Sequence, residues 1–404
     1  MIEICAKDKC TACTACFSVC PKHAITMEAD SLGFLYPSID QSKCIDCGLC
    51  VKICPVNNPV ELSCPQYSIA GYSKDCDDRK TSASGGAASV FSTYILRRGG
   101  VVYGCVQENV FQICHKRIAE IKDSNQLKGS KYVHSPLGQS FQMIKKDLKD
   151  GLEVLFIGTP CQCAGLKNFL RKEYDNLYVI DICCHGVPSQ KFLKDEIYSL
   201  QRKGKVPYEV QNVKVSFRKK FFPAKDKLKY GFFLDLLDKR IYSSYVPNNN
   251  YISGFLSGLF FRPNCFKCTY ASKNRCTDIT LADHWGMGKS LNADMNVQRG
   301  LSTFLITSAK GKKLFDEIKP HITYEERSWS ESINGNGQFL RPEKKPITYE
   351  DFQKCYLEKG YASACRKYLL NYKLWRWKYN IKSSIRNTLR NSTLIYKIYK
   401  LLHR

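Results

Sequence analysis

Cys10-Thr11-Ala12-Cys13-Thr14-Ala15-Cys16-Phe17-Ser18-Val19-Cys20-Pro21 and Cys44-Ile45-Asp46-Cys47-Gly48-Leu49-Cys50-Val51-Lys52-Ile53-Cys54-Pro55 are two copies of one pattern, C-x2-C-x2-C-x3-C-P. Three thiolates at that spacing wrap one face of an iron–sulfur cubane. The fourth, set beyond the turn that proline enforces, reaches the neighbouring cluster when two are present. The spacing therefore predicts two 4Fe-4S clusters, one held by Cys10, Cys13, Cys16 and Cys54, the other by Cys44, Cys47, Cys50 and Cys20. Zinc needs two C-x2-C pairs and leaves the third and fourth cysteines of each run without a role.

Working outward, residues 24–27 and 34–36 read as short strands around the turn Asp30-Ser31-Leu32-Gly33, which makes residues 1–60 a small α+β ferredoxin-like domain. Pro55 through Pro65 reads as a linker. A chain of 404 residues with 22 cysteines, long and rich in ordinary core residues, fits metal-binding thiolates better than a secreted disulfide scaffold. The start has no basic and apolar leader pattern, and no stretch approaches the length of a membrane span, so a cytoplasmic protein is expected. The formal charge of +25 implies an acidic partner: nucleic acid, anionic lipid, an acidic carrier protein or a phosphorylated cofactor. No nucleic-acid-binding fold or aromatic–basic motif appears in the core, so nucleic acid is not expected.

Residues 66–350 read as an α/β domain with a mixed or mainly parallel sheet. Ser84-Gly85-Gly86 opens an amphipathic helix through Ala87, Val90, Phe91, Tyr94 and Ile95, and Gly99-Gly100 closes it before a strand at 101–106. A helix at 139–149, a strand at 154–157, another helix and a strand at 177–182 continue the alternation. Residues 213–217 and 232–237 read as added strands. Ligands in open α/β sheets bind beyond the carboxyl ends of the strands. Gly158-Thr159-Pro160-Cys161-Gln162 and Cys183-Cys184-His185-Gly186 both follow strands directly, and Cys265-Phe266-Lys267-Cys268 is a C-x2-C pair without partners of its own. Four thiolates from these three loops suit a further 4Fe-4S cluster or a zinc ion.

The stretches Ser84-Gly85-Gly86, Lys131-Tyr132 with Ser135-Pro136, Thr159-Pro160-Cys161-Gln162, Cys184-His185-Gly186, Cys265 to Cys268, and Asp278-Ile279-Thr280 leading to Asp283-His284-Trp285-Gly286 occur in order. Together the chain resembles the coenzyme F420 hydrogenase/dehydrogenase beta-subunit family, whose relatives include a ferredoxin-dependent chlorophyll reductase. The resemblance implies a core with FAD beside a third 4Fe-4S cluster, and it places that cluster on Cys161, Cys184, Cys265 and Cys268. Cys163, Cys183 and Cys276 are rival thiols. It also implies FAD contacts at Ser84, Gly85, Gly86, Lys131, Tyr132 and Ser135. A glycine pair at a helix N-terminus would let a phosphate approach free N–H groups, with Lys131 as an added charge. A Ser-capped helix with packing glycines fits the same residues.

The expected protein is an iron–sulfur flavoprotein oxidoreductase passing electrons between a ferredoxin-like or deazaflavin carrier and an unidentified substrate. An electron-transfer subunit with clusters alone is the alternative. His185, Arg218, Lys219 and Lys220 are candidate substrate contacts, although a turn histidine and a solvated basic strand end fit them better. The N-terminal position of the ferredoxin-like domain departs from the methanogen members and leaves the carrier open. Residues 359–404 contain no Asp or Glu and mix basic residues such as Arg366, Lys367, Lys373, Arg376, Lys397 and Lys400 with Trp375, Trp377, Tyr379 and Ile395. They read as a helical basic tail suited to an anionic surface, with peripheral contact at the inner membrane, while a helix packed on the core and an electrostatic dock for an acidic ferredoxin fit the same residues.

Overall fold

The computed structural model describes residues 3–210, 212–221, 229–237, 239–245, 248–285, 295 and 299–391. Gly286, Ile395, Lys397 and Lys400 lie outside the described residues. The N-terminal unit has helix α1 (Ala15–Val19), the hairpin β1 (Ile25–Ala29) and β2 (Leu35–Ile39), and helix α2 (Leu49–Ile53). The hairpin turn forms because Asp30 Oδ1 accepts from the N–H groups of Leu32 and Phe34 at 3.0 and 2.9 Å, with Gly33 at φ +81°. In both cysteine runs the residues two and four positions after the first cysteine are left-handed: Ala12 and Thr14 at φ 54° and 60°, Asp46 and Gly48 at 49° and 68°. Alternating handedness of this kind curls successive backbone N–H groups toward a common centre.

Next come β3 (Tyr67–Ser73), α3 (Cys76–Thr81), α4 (Ala87–Arg97), β4 (Val101–Asn109), β5 (Gln112–Ile118), α5 (Ser140–Lys149), β6 (Val154–Gly158), α6 (Pro160–Leu170), β7 (Leu177–Ile182) and α7 (Gln190–Arg202). After β8 (Val213–Phe221), β9 (Lys229–Leu236), β10 (Lys239–Tyr245) and α8 (Asn250–Leu256), the chain returns through β11 (Ile279–Asp283), β12 (Ser302–Ile306), α9 (Ala309–Ile318) and β13 (Ile322–Glu326). It ends in α10 (Trp329–Ile333), α11 (Tyr349–Lys359), α12 (Tyr361–Tyr368) and α13 (Leu370–Asn391).

The main sheet has eight strands in the order β13-β3-β12-β11-β7-β6-β4-β5. Its centre, β11-β7-β6-β4, is parallel and its flanks are antiparallel, so the sheet is mixed. β4 over residues 101–106 and β6 over residues 154–157 read as apolar runs because both faces are covered, whereas β7 and β11 carry the buried polar residues Asp181 and Thr280. Val101, Tyr103, Val154, Phe156, Leu177 and Val179 meet α5 and α6 on one side. Val102, Leu155, Tyr178 and Ile180 meet α4 and α9 on the other. Strands β8, β9 and β10 form a separate antiparallel sheet of three. The buried residues of β8, Val213, Val215 and Phe217, alternate with polar ones, as suits a sheet covered on one face only.

The ferredoxin-like unit is built into the rest of the molecule. Cys13, Ala15 and Ile53 join the core on the α5–α6 side, while Leu32 and Phe34 join a second core with α7, α8, α11 and α12. The basic tail therefore begins later than residue 359, because Tyr361, Ala364, Cys365 and Leu369 are buried in that second core, and Tyr361 Oη donates to the buried Glu196 at 3.1 Å. No described helix is long and apolar enough to cross a membrane.

The units meet closely at Gly33, where an added Cβ would stand 2.6 Å from Lys191 Cβ, and at Gly165 in α6, where it would stand 2.8 Å from Cys13 Cβ and 2.9 Å from its Sγ. Alanine at a helix interior gains about 1 kcal/mol over glycine, whereas overpacking costs about 1–3 kcal/mol. Gly165→Ala is expected to lower the thermal unfolding midpoint and to destabilise the Cys10–Cys16 loop, whereas Gly337→Ala, which meets nothing within 4 Å, leaves the midpoint in place. Equal midpoints for the two variants would show that the seam is looser than described.

Candidate functional site

The structure gathers the expected cysteines into three groups. Cys10, Cys13, Cys16 and Cys54 act electrostatically on one another, so the last cysteine of the second run sits with the first three of the first run. Cys20, Cys44, Cys47 and Cys50 line one small apolar depression under Ile25, Ile39 and Leu49. Cys5, which the spacing leaves without a role, lies against Cys10 and Cys54. Its thiol hydrogen bonds pull theirs down, Cys10 to about 6 and Cys54 to about 7.

The third group lies at the carboxyl ends of β6 and β7. Cys161 stands in the first turn of α6 after Pro160, and its Sγ is 3.3 Å from Thr159 Oγ1. Cys184 follows β7, and Cys265 and Cys268 come from the loop before β11. Burial pushes all four thiols up, Cys265 to about 12, and each is pushed further by others of the set or stands among them. All four are only half-buried where they face the cavity, and a metal bound there would hold them as thiolates. The rival thiols lie close by, Cys163 near Cys161 and Cys183 near Cys184. Cys163 and Cys276 face each other, with Sγ atoms 3.8 Å from the carbonyls of Ile180 and Pro160. Cys183 lines the same cavity beside Cys184, within the electrostatic reach of Arg275, Asp181 and Asp283. The loop carrying Cys268 is tied to the sheet by Arg275, which pairs with Asp181 at 2.5 Å and donates to Tyr270 O at 2.9 Å and Thr280 Oγ1 at 3.1 Å.

All four thiols line a cavity of about 1720 Å³ whose wall also includes Thr11 of the ferredoxin-like unit. Small-molecule pockets usually measure about 300–1,000 Å³, so this one has room for a dinucleotide. Ser84, Gly86 and the first-turn residues Ala87, Ala88 and Ser89 of α4 form one wall, and Tyr132 and Ser135 another. Tyr132 stacks on Phe255 with ring centroids 4.5 Å apart, and Ser135 Oγ is 2.8 Å from His115 Nδ1. Two expected contacts behave differently. Gly85 N donates to Ser302 Oγ at 3.0 Å, and a Cβ there would meet Gly71 O at 2.6 Å, so this glycine exists for packing and its N–H is not free. Lys131 Nζ turns back to donate to the carbonyls of Gln126, Leu127 and Lys128 at 3.1, 3.1 and 2.9 Å, which uses its three donors; burial lowers its pKa to about 8.

On the far wall Arg218 pairs with Asp283 at 2.5 Å and lies 4.0 Å over the Tyr230 ring and 5.0 Å over Trp285. His185 lines the cavity beside Cys184, with Nδ1 2.5 Å from Gln338 Nε2. Lys219 is taken by Asp235 at 2.5 Å, and Lys220 donates to the carbonyls of Arg79, Ser84 and Arg299, so neither reaches the cavity. The Asp278–Thr280 motif is a frame: Asp278 accepts from Val179 N and Ser308 Oγ at 2.8 and 2.6 Å. Arg376 of α13 also lines the cavity, which nothing in the tail's composition suggests.

Residues 9–58 match the family model of the 4Fe-4S dicluster domain. Residues 151–332 match the family model for the C terminus of the coenzyme F420 hydrogenase/dehydrogenase beta subunit. Among solved structures, a chain of the F420-reducing NiFe hydrogenase complex from Methanosarcina barkeri is similar at 16% identity and a TM-score of 0.45, with 76% of this chain and 91% of that chain covered. No curated protein matches the sequence.

Burial lowers His115 to about 4 and His134 to about 3, so both are neutral when folded and titrate near 6.5 when unfolded. Between those values the unfolded chain binds more protons, and stability is lost as pH falls from about 6.5 toward 4, by up to about 1.4 kcal/mol per pH unit for each histidine. Denaturant unfolding at about pH 7 and pH 5 is expected to show this loss, reduced in His115→Asn. The same pH dependence in the variant and the wild type would place the proton elsewhere.

Proposed function

We propose that the chain is an iron–sulfur flavoprotein oxidoreductase, because it joins a 4Fe-4S dicluster domain to a domain of the kind that ends the beta subunit in coenzyme F420 hydrogenases and dehydrogenases. In this reading it moves electrons between a one-electron carrier, ferredoxin-like or deazaflavin-linked, and a two-electron substrate. The observation that carries it is the lining of one large cavity by Cys161, Cys184, Cys265 and Cys268, with Thr11 of the dicluster domain in the same wall. The eight dicluster cysteines hold two clusters in the pairing given by their grouping, and the cavity-wall thiols hold the third. FAD, when bound, exchanges single electrons or a hydride and so joins the two kinds of carrier.

For FAD the chain offers a wall of the right chemistry. The first turn of α4, with Ala87 to Ser89 at the cavity, faces its positive end toward a pyrophosphate. Ser84, Gly86, Tyr132 and Ser135 are the remaining contacts, while Gly85 and Lys131 act through packing and loop capping. Arg218, held by Asp283 and with Nη2 free of a partner among the described residues, presents a donor to substrate.

Anaerobically purified protein is expected to contain about twelve irons and one noncovalent FAD per chain. Cys161→Ser or Cys184→Ser should remove about four irons and leave the dicluster signals in place. Eight irons in fully reconstituted wild type would remove the third cluster, and full iron without flavin would favour the electron-transfer subunit.

The start of α13 also suits an anionic membrane surface, because Trp375, Trp377 and Tyr379 are each more than half exposed among basic residues. Since α12 belongs to the core, the chain to compare with the full one ends at Arg376. The full chain is expected to sediment with anionic vesicles at low salt and the shortened one to stay in solution. Equal behaviour of the two would remove the membrane role.

A further inference from the structure

Arg262 is 1% exposed, and it is the largest fully buried side chain among the described residues. Its Nε donates to Cys10 O at 2.7 Å, and its guanidinium lies 4.1 Å over the Tyr36 ring. Nη1 and Nη2 have no hydrogen-bond partner among the described residues. The main chain of the same residue holds the other redox site: Cys265 N donates to Arg262 O at 3.0 Å, while Arg262 N donates to Val187 O at 3.0 Å. One residue thus grips a cysteine of the dicluster domain with its side chain and a cysteine of the cavity wall with its backbone.

A guanidinium does not lose its proton, and a buried charge whose donors are unused is costly unless an anion faces it. The aromatic ring faces supply part of that compensation. The remainder fits thiolate sulfur, since the same guanidinium is anchored on the main chain of Cys10, the first cysteine of the run. A 4Fe-4S cluster in four thiolates is net negative and becomes more so on reduction, so a fixed cation beside it favours the reduced state.

We propose that Arg262 sets the reduction potential of the cluster at Cys10, Cys13, Cys16 and Cys54, raising it so that an electron entering the dicluster domain is drawn to the cluster on the core side. The step moves one electron from the external carrier onto the cluster, with no bond made or broken. This rests on the ligand assignment under Proposed function, and Arg262 acts as a charge-positioning residue that binds no iron itself.

The test is a redox titration of the full iron-loaded chain, followed by electron paramagnetic resonance, in wild type, Arg262→Met and Arg262→Lys. Iron and sulfide are measured first, so a wild type without the dicluster clusters defeats the ligand assignment before any potential is read. With clusters present, the Met variant is expected to weaken reduction of one cluster by about tenfold, which is about 59 mV more negative for one electron. The Lys variant keeps the charge and stays near wild type. If Met does not load iron, Arg262→Gln replaces it, keeping a donor for Cys10 O without the charge and carrying the same expectation. A neutral variant that titrates as wild type, or a Lys variant shifted as far as the neutral one, overturns the proposal.

Discussion

The missing side chain at Gly165 is the constraint on which the rest of the arrangement depends. It lets Cys13 settle directly onto α6, one helical turn beyond Cys161, where any Cβ would collide with it. That approach, with the one at Gly33 against Lys191, lets the dicluster unit share two cores with the main body, through Cys13, Ala15 and Ile53 on one side and Leu32 and Phe34 on the other. A unit of this size supports little core of its own, so its cysteine loops take their rigidity from the larger domain. The same packing brings the first cysteine group and the cavity-wall thiols to the two ends of one turn of α6.

The net charge of +25 is misleading near the cavity. There the buried cations are engaged in holding loops: Arg275 on Asp181 and the loop after Cys268, Lys131 on three carbonyls, Lys220 on the carbonyls that frame α4, and Arg218 on Asp283. Burial lowers Lys220 to about 7, which suits a group acting as a capping donor more than as a point charge. The cavity is therefore shaped by cations that hold loops, and at the start of α4 the carboxylate of Asp78 accepts from Ser89 Oγ at 2.6 Å and pairs with Lys128 at 2.7 Å.

The cysteine runs were legible because cubane ligation imposes its spacing on the sequence and a turn imposes proline after it. Strands β4 and β6 were legible because burial on both faces writes a continuous apolar run, and β7 because only Asp181 interrupts one. The turn of Lys131 Nζ onto three carbonyls was not legible, since a lysine in a loop reads the same whichever way its side chain runs, although the residue does line the cavity as its motif implies. The separate sheet of β8 to β10 depends on which sheet edges are already taken, which local pattern does not record. The start of the tail reads two ways in sequence, as a surface-binding segment or as a helix packed on the core, and Tyr361, Ala364, Cys365 and Tyr368 take the packed form. Gly165 and Arg262 carry no pattern at all, because their roles exist only where two distant segments meet.

The central claim is that three clusters lie in sequence from the dicluster domain to the cavity wall, close enough to exchange electrons. The most direct measurement is the low-temperature electron paramagnetic resonance spectrum of the fully reduced, iron-loaded chain, integrated against protein concentration. The account predicts about three spins per chain, one for each cubane, with the broadening and split lines of magnetically coupled neighbours. Two spins, or a third signal that adds to the others without coupling, would contradict it.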